Sequence, residues 1–160
     1  MTKLRFHPIA AAVAVAAALA SAGGSSAAQP GTTTLSLMSV QTSFVPVPPI
    51  DKKSPPQIGG RMFFQDVLYN HAPQFGKPGG ARVGTAEIVC TLVSKSHLEC
   101  VVTAHLPGGE LVLTGSNPIR SHHSTFAVTG GSGIYANVRG ATTGTDLSGT
   151  KTLVSGTLSL

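Results

Sequence analysis

The sequence predicts an all-β domain of about eight short antiparallel strands, closed as a small barrel or stacked as a sandwich. Three observations carry that prediction. Runs of β-branched and apolar residues alternate with turn clusters built from 19 glycines and 11 prolines, which supply positive φ and fixed φ where the chain reverses. No amphipathic segment of helical period runs longer than about two turns. Charged residues are only 11% of the chain, which suits a β-rich protein with many turns.

The first 28 residues are read as a leader rather than as part of the fold. Lys3 and Arg5 form a positive region, Ile9 to Ala20 an unbroken apolar run, and Ser26-Ala27-Ala28 a small-residue cleavage site. This is the pattern of a secretory signal peptide, with cleavage near Ala28 or, as the alternative, after Ala22. The apolar run, about 12 residues long, is too short to span a bilayer. No later segment is longer or more apolar, so the expected product is an exported protein with no membrane association after cleavage. Residues 29–160 then form a single domain, large enough for one core.

The strands follow in order. Thr34 to Val45 is β-branched and apolar, and Pro46-Val47-Pro48-Pro49 ends it because proline cannot donate to a ladder. A loop from Ile50 to Gly60 leads to a second strand, Arg61 to Asn70, and a Pro/Gly loop over His71 to Ala81 follows. Arg82 to Val93 and Leu98 to Leu106 form the clearest hairpin, and Pro107-Gly108-Gly109 turns the chain into Glu110 to Gly115. Asn117-Pro118 begins a polar loop through Ser124. Thr125 to Gly140 reads as a short strand, a turn carrying Gly130, Gly131 and Gly133, and a further strand ending at Gly140. Lys151 to Leu160 closes the sheet by alternation of Leu153, Ser155, Thr157 and Ser159.

Several function classes fall away. Without Lys3 and Arg5, nine basic residues stand against six acidic ones, a net of +3. These charges are scattered, whereas nucleic-acid binding needs a concentrated basic face. Gly131-x-Gly133-x-x-Ala136 imitates a dinucleotide fingerprint, but Tyr135, Asn137, Val138 and Gly140 make a poor helix, and that motif requires one. No G-x-S-x-G elbow is present to support a hydrolytic triad.

The hairpin places the two cysteines. With Ser94-Lys95-Ser96 at its tip, Leu92 faces Leu98 and Cys90 faces Cys100, so a disulfide would staple adjacent strands. A metal site using Cys90 and Cys100 with His97, His105 or His122-His123 is the rival, but alternation puts His97 and His105 on the opposite face from the cysteines. The same alternation collects Ala86, Ile88, Leu92, Leu98, Val102 and Ala104 on an interior face, while Glu87 and Glu99 point to solvent. Asp66 stands out because it shares a face with Met62, Phe64, Leu68 and Asn70. A carboxylate there is costly to bury unless paired or protonated. It is either hydrogen-bonded to a turn, ion-paired with Arg139, or held for a functional purpose.

Four segments resemble the dirigent and allene oxide cyclase superfamily. Phe63-Phe64-Gln65-Asp66-Val67-Leu68-Tyr69-Asn70 is similar to the dirigent FHDILYN strand. Gly80-Ala81-Arg82-Val83-Gly84 resembles its G-R-A-Q-G entry, and Gly109 to Ile119 its GTINFAGADPI segment. Val128 to Gly140 resembles its V-x-G-G-T-G-x-F-x-x-A-R-G signature. The pieces occur in the family's order over Arg61 to Leu160, and are more similar to small exported bacterial relatives with this cysteine pair than to the plant proteins.

The resemblance implies an eight-stranded antiparallel β-barrel, often a homotrimer, with an apolar cavity for a hydrophobic small molecule. Family members use that cavity to guide cyclisation, isomerisation or stereoselective coupling by confinement. It implies neither cofactor nor metal. Asp66 falls on the family's strand aspartate and Arg139 on the arginine of its A-R-G motif, suggesting an acid/base or orienting group and its charge partner. Phe64, Leu68, Asn70, Ala86, Ile88, Val102, Ile134 and Tyr135 are the expected ligand-binding residues. Ile134 stands where dirigent proteins carry a second acid, and Ala86 and Ile88 stand where they carry tyrosines. That makes a greasier pocket, less able to move protons, and keeps a non-catalytic carrier or a structural extracellular barrel as the alternative.

Overall fold

The computed structural model describes residues 31–49 and 55–159. The leader read from residues 1–28 lies outside them. Eight strands run in chain order: β1 (Thr32–Val47), β2 (Arg61–Asn70), β3 (Arg82–Leu92), β4 (His97–Leu106), β5 (Gly109–Pro118), β6 (His123–Gly131), β7 (Arg139–Ser148) and β8 (Lys151–Ser159). Each pairs antiparallel with its sequence neighbour and β8 returns to β1, so the sheet is a closed barrel with no free edge. Closure pairs most of the ladder and so removes the aggregation hazard of a long exposed edge. Between closed barrel and sandwich, the barrel is the observed answer.

Period-two alternation sets what faces inward. Leu35 and Leu37 on β1, Leu68 on β2, Ala86 on β3, Leu111 and Leu113 on β5 and Leu158 on β8 form one buried core. Removing each such Leu side chain from water favours the fold by about 1.5–3 kcal/mol. The hairpin register is the expected one: Leu92 opposite Leu98, Cys90 opposite Cys100, Ile88 opposite Val102 and Ala86 opposite Ala104. Cys90 and Cys100 are joined by a disulfide. Among the described residues, no helix is long and apolar enough to cross a membrane.

Several boundaries differ from the sequence reading: β1 runs through Pro46 to Val47 and β6 starts at His123, inside the expected loop. β5 continues through Pro118 rather than stopping at Gly115, because Asn117 is buried and its Oδ1 accepts a hydrogen bond from the Thr125 N–H at 2.8 Å. The larger correction concerns the glycine-rich stretch. Residues 134–138 do not form a strand: Gly133–Tyr135 is a single 3-10 turn, and β7 begins only at Arg139. Gly130 sits where β6 slips register against β5, with φ 142°, and Gly133 has φ 61° and packs its backbone on Gly108. The glycines therefore serve a bulge and a close approach, as well as the reversal between β6 and β7.

The two ends of the barrel differ. At the end carrying the β2–β3, β4–β5 and β6–β7 connections, Tyr135 and Val138 are buried among Leu106, Val83 and Leu158. Tyr135 donates its hydroxyl to the Pro107 carbonyl at 3.1 Å, tying the 3-10 turn to the β4–β5 turn. Asn70 donates from Nδ2 to the carbonyls of Gln74 and Lys77, at 2.7 and 3.0 Å, and so folds the 71–81 loop against this end. The opposite end, with the β7–β8 hairpin on its rim, is where the lumen opens.

Candidate functional site

The lumen holds a cavity of about 170 Å³, continuous in its lining with a mouth of about 270 Å³. Asp66, Ile88, Asp146 and Thr152 line both. A dry apolar cavity of about 150 Å³ is enough to hold benzene, so the inner chamber has room for a body about one ring wide. Small side chains keep it open: Ala86 and Ala104 face each other across β3 and β4, and Gly144 contributes no side chain on β7. Other hollows lie outside the lumen, such as the one bordered by Arg61, Val89, Thr91 and Glu99.

The cavity has two unlike walls. On β3 to β6 it is lined by Ile88, Val102, Leu113 and Phe126, with Ser124 near the mouth. On β2, β1, β8 and β7 a row of polar side chains crosses four neighbouring strands. Ser39 donates its hydroxyl to Asp66 Oδ2 at 2.5 Å. Ser39 lies opposite Thr152 in the β1–β8 ladder, and Thr152 lies opposite Asp146 in the β7–β8 ladder. Thr152 in turn donates to Asp146 Oδ1 at 2.8 Å. The order Asp66, Ser39, Thr152, Asp146 thus places a carboxylate at each end of the row, each accepting from the hydroxyl beside it.

Asp66 is 8% exposed. Burial pushes its carboxyl above the usual range, and the Ser39 hydrogen bond works against that rise. Its Oδ1 is buried without a hydrogen-bond partner, and so is Oγ1 of Thr142, a cavity-lining side chain of β7. Buried polar atoms are seldom left unpaired. Two of them line this one cavity, where they carry hydrogen-bonding capacity that no protein group uses.

The predicted site residues separate into three groups. Asp66, Leu68, Ala86, Ile88 and Val102 line the inner chamber, and Phe64 lines the mouth, stacked on Phe44 with ring centroids 5.0 Å apart. Asn70 and Tyr135 are buried but belong to the closed end, where their polar atoms hold turns. Ile134 and Arg139 lie away from the cavity. Ile134 is 64% exposed and packs on Gly108. Arg139 starts β7 opposite Ser159 and donates to the Val138 carbonyl at 2.8 Å. The charge partner expected for Asp66 is therefore not Arg139, and a serine hydroxyl takes that place. The register explains this: β7 turns Thr142, Gly144 and Asp146 inward, so Arg139, of opposite parity, faces out.

Sequence reasoning missed Ser39, Asp146, Thr142 and Thr152. Asp146 carried a usable signal, since it shares inward parity with Thr142 and Gly144 once β7 is placed correctly.

The comparisons with known proteins bear on this barrel. No protein-family profile and no curated protein matches the sequence. Solved structures do. A pyocyanin demethylase superposes with a TM-score of 0.65 at 23% identity, over 79% of this chain and 100% of that one. Two pterocarpan synthase dirigent proteins superpose at 0.60 and 0.61, each at 20% identity and over 81% of this chain, with 84% and 94% of theirs covered. This chain has the dirigent-type barrel fold. A heme-binding cyclase described as catalysing a [4 + 2] cycloaddition during neoabyssomicin biosynthesis superposes at 0.64 with 12% identity, covering 82% of this chain and 65% of that one. The dirigent and allene oxide cyclase-like resemblance seen in Asp66, the Gly80–Gly84 entry and the Val128–Gly140 stretch agrees with this architecture.

Proposed function

We propose that this chain is an exported barrel that binds a largely apolar small molecule in its lumen and guides its cyclisation, isomerisation or stereoselective coupling. The single observation that carries the reading is Asp66: one buried carboxyl with a free oxygen, on a chamber whose facing wall is hydrocarbon. Burial raises that carboxyl, so it holds a proton more readily than a solvated aspartate and can lend it to a ligand atom or take one away. Ser39 fixes its orientation through Oδ2 and leaves Oδ1 for the ligand. The hydrocarbon wall of Ile88, Val102, Leu113 and Phe126 limits how an apolar body can turn, which is how confinement biases a product. The solved barrels it resembles include dirigent proteins, a cyclase and a demethylase, and they support a reaction-guiding use of the fold. The disulfide supports an oxidising, extracellular setting.

The second reading is a non-catalytic carrier. It is favoured by the lack of any cationic partner for Asp66 among the described residues, since the one ion pair there, His105 with Glu110 at 3.3 Å, lies on the outside. Two measurements separate the readings. Mass spectrometry of small molecules released from the purified protein identifies the ligand class. Product ratios from that ligand's reactive precursor, with wild type and Asp66→Ala, then decide: a changed ratio supports guidance, whereas identical ratios leave only the carrier.

A further inference from the structure

The polar wall of the lumen has an electrostatic bias that the reading above does not use. Asp66 and Asp146 both line the chamber and its mouth, each accepting from one hydroxyl, of Ser39 and of Thr152. Among the described residues, neither carboxylate makes an ion pair. Ser39 and Thr152 both spend their hydroxyl protons on these carboxylates. The spare capacity on this wall is therefore chiefly for accepting, with the unpartnered Thr142 hydroxyl the one group still able to donate as well. Asp66 Oδ1 and Thr142 Oγ1, in side chains 8% and 1% exposed, are both buried without a partner on the same cavity.

A ligand that matches such a wall brings donors and positive charge. A protonated amine presents three N–H donors and a positive charge to the two carboxylates, whereas a hydroxyl presents one donor and no charge. The opposite wall is hydrocarbon except for Ser124 near the mouth, and the inner chamber is about one ring wide. A carboxylate that is expensive to bury alone becomes favourable to bury beside a cation.

We propose that the lumen is specific for small amphiphiles with a narrow apolar body and a cationic nitrogen, the nitrogen seated between Asp66 and Asp146 and the body against Val102, Leu113 and Phe126. The inference rests on the lumen being a ligand site, and deepens it by assigning the ligand's charge.

Three probes of one size test it: benzylammonium, benzyl alcohol and toluene, each titrated at neutral pH into the folded, disulfide-bonded protein and followed by the methyl NMR signals of Val102 and Leu113. Benzylammonium is expected to bind at least about tenfold more tightly than benzyl alcohol, since charge-assisted hydrogen bonds are about twice as strong as neutral ones. Asp66→Asn should reduce that preference to below about threefold, and Asp146→Asn, on an exposed side chain, should reduce it partially. Equal binding of the three probes, or tighter binding of the alcohol, overturns the charge assignment while leaving the lumen a ligand site. A preference for benzylammonium that survives both substitutions also overturns it. If no probe shifts the lumen methyls, this proposal and the ligand-site reading fail together.

Discussion

Asp66 is held inside the barrel by one short hydrogen bond, from Ser39, and that has a consequence for stability. Its carboxyl is raised in the folded state by burial. A raised acid favours folding while protonated, fully so below its unfolded value of about 3.9, and that contribution is withdrawn as pH rises through the folded value. Ionising the buried group therefore costs stability as pH rises. Asp66→Asn keeps a partner for Ser39 and removes the charge, so thermal melts should show a variant a few degrees more stable than wild type at pH 7 and indistinguishable from it near pH 3.5. Arg139 makes its hydrogen bond to its own neighbour's carbonyl. Arg139→Ala should leave the NMR titration of the Asp66 carboxyl unmoved, and a downward movement on restoring the arginine would revive it as the counter-ion. Asp66 was legible in the sequence because alternation along a single strand places it among Phe64 and Leu68. Ser39 was not legible, because that contact joins residues 27 apart across a pairing interrupted by a bulge between Gln41 and Ser43.

At the scale of elements, the β3–β4 hairpin and the β6–β7 connection show what local pattern can and cannot settle. The hairpin has a short tip and two alternating arms, so its register, and with it the cysteine pairing, follows from counting. Its disulfide closes a loop with a sequence separation of 10. The double variant Cys90→Ala/Cys100→Ala should lose about 2–3 kcal/mol in urea unfolding, whereas wild type in reductant and the double variant should unfold at similar urea concentrations. The β6–β7 connection misled because three glycines in four residues read as a tight reversal. Tyr135 instead drops into the closed end and bonds the Pro107 carbonyl, and the strand resumes at Arg139. Tyr135→Phe keeps the buried ring and should cost only about 1 kcal/mol. Tyr135→Ala removes the plug and should cost about 3–5 kcal/mol.

For the molecule as a whole, closure of the sheet turns eight modest strands into a container with one packed end and one open end. The strand count and the all-β class were legible from spacing and turn residues, and the resemblance added closure. The two-walled character of the lumen was not, because it depends on which strands become neighbours when β8 meets β1. That junction brings Ser39 beside Thr152 and so gathers Asp66 and Asp146 onto one wall. The free volume depends on small residues, chiefly Ala86 and Ala104. Ala86→Phe should fill the chamber, keep the β-sheet circular dichroism, and abolish binding of any apolar probe, at a cost in stability of about 1–3 kcal/mol.

The most direct test is the site of binding. Toluene added to protein carrying labelled Ile, Leu and Val methyls should shift Ile88, Val102 and Leu113, which line the lumen, and leave Val45 and Val101, which are exposed on the outside, where they were. Shifts confined to Val45 and Val101, or no shift at all, would contradict a barrel that works by holding a small apolar molecule inside.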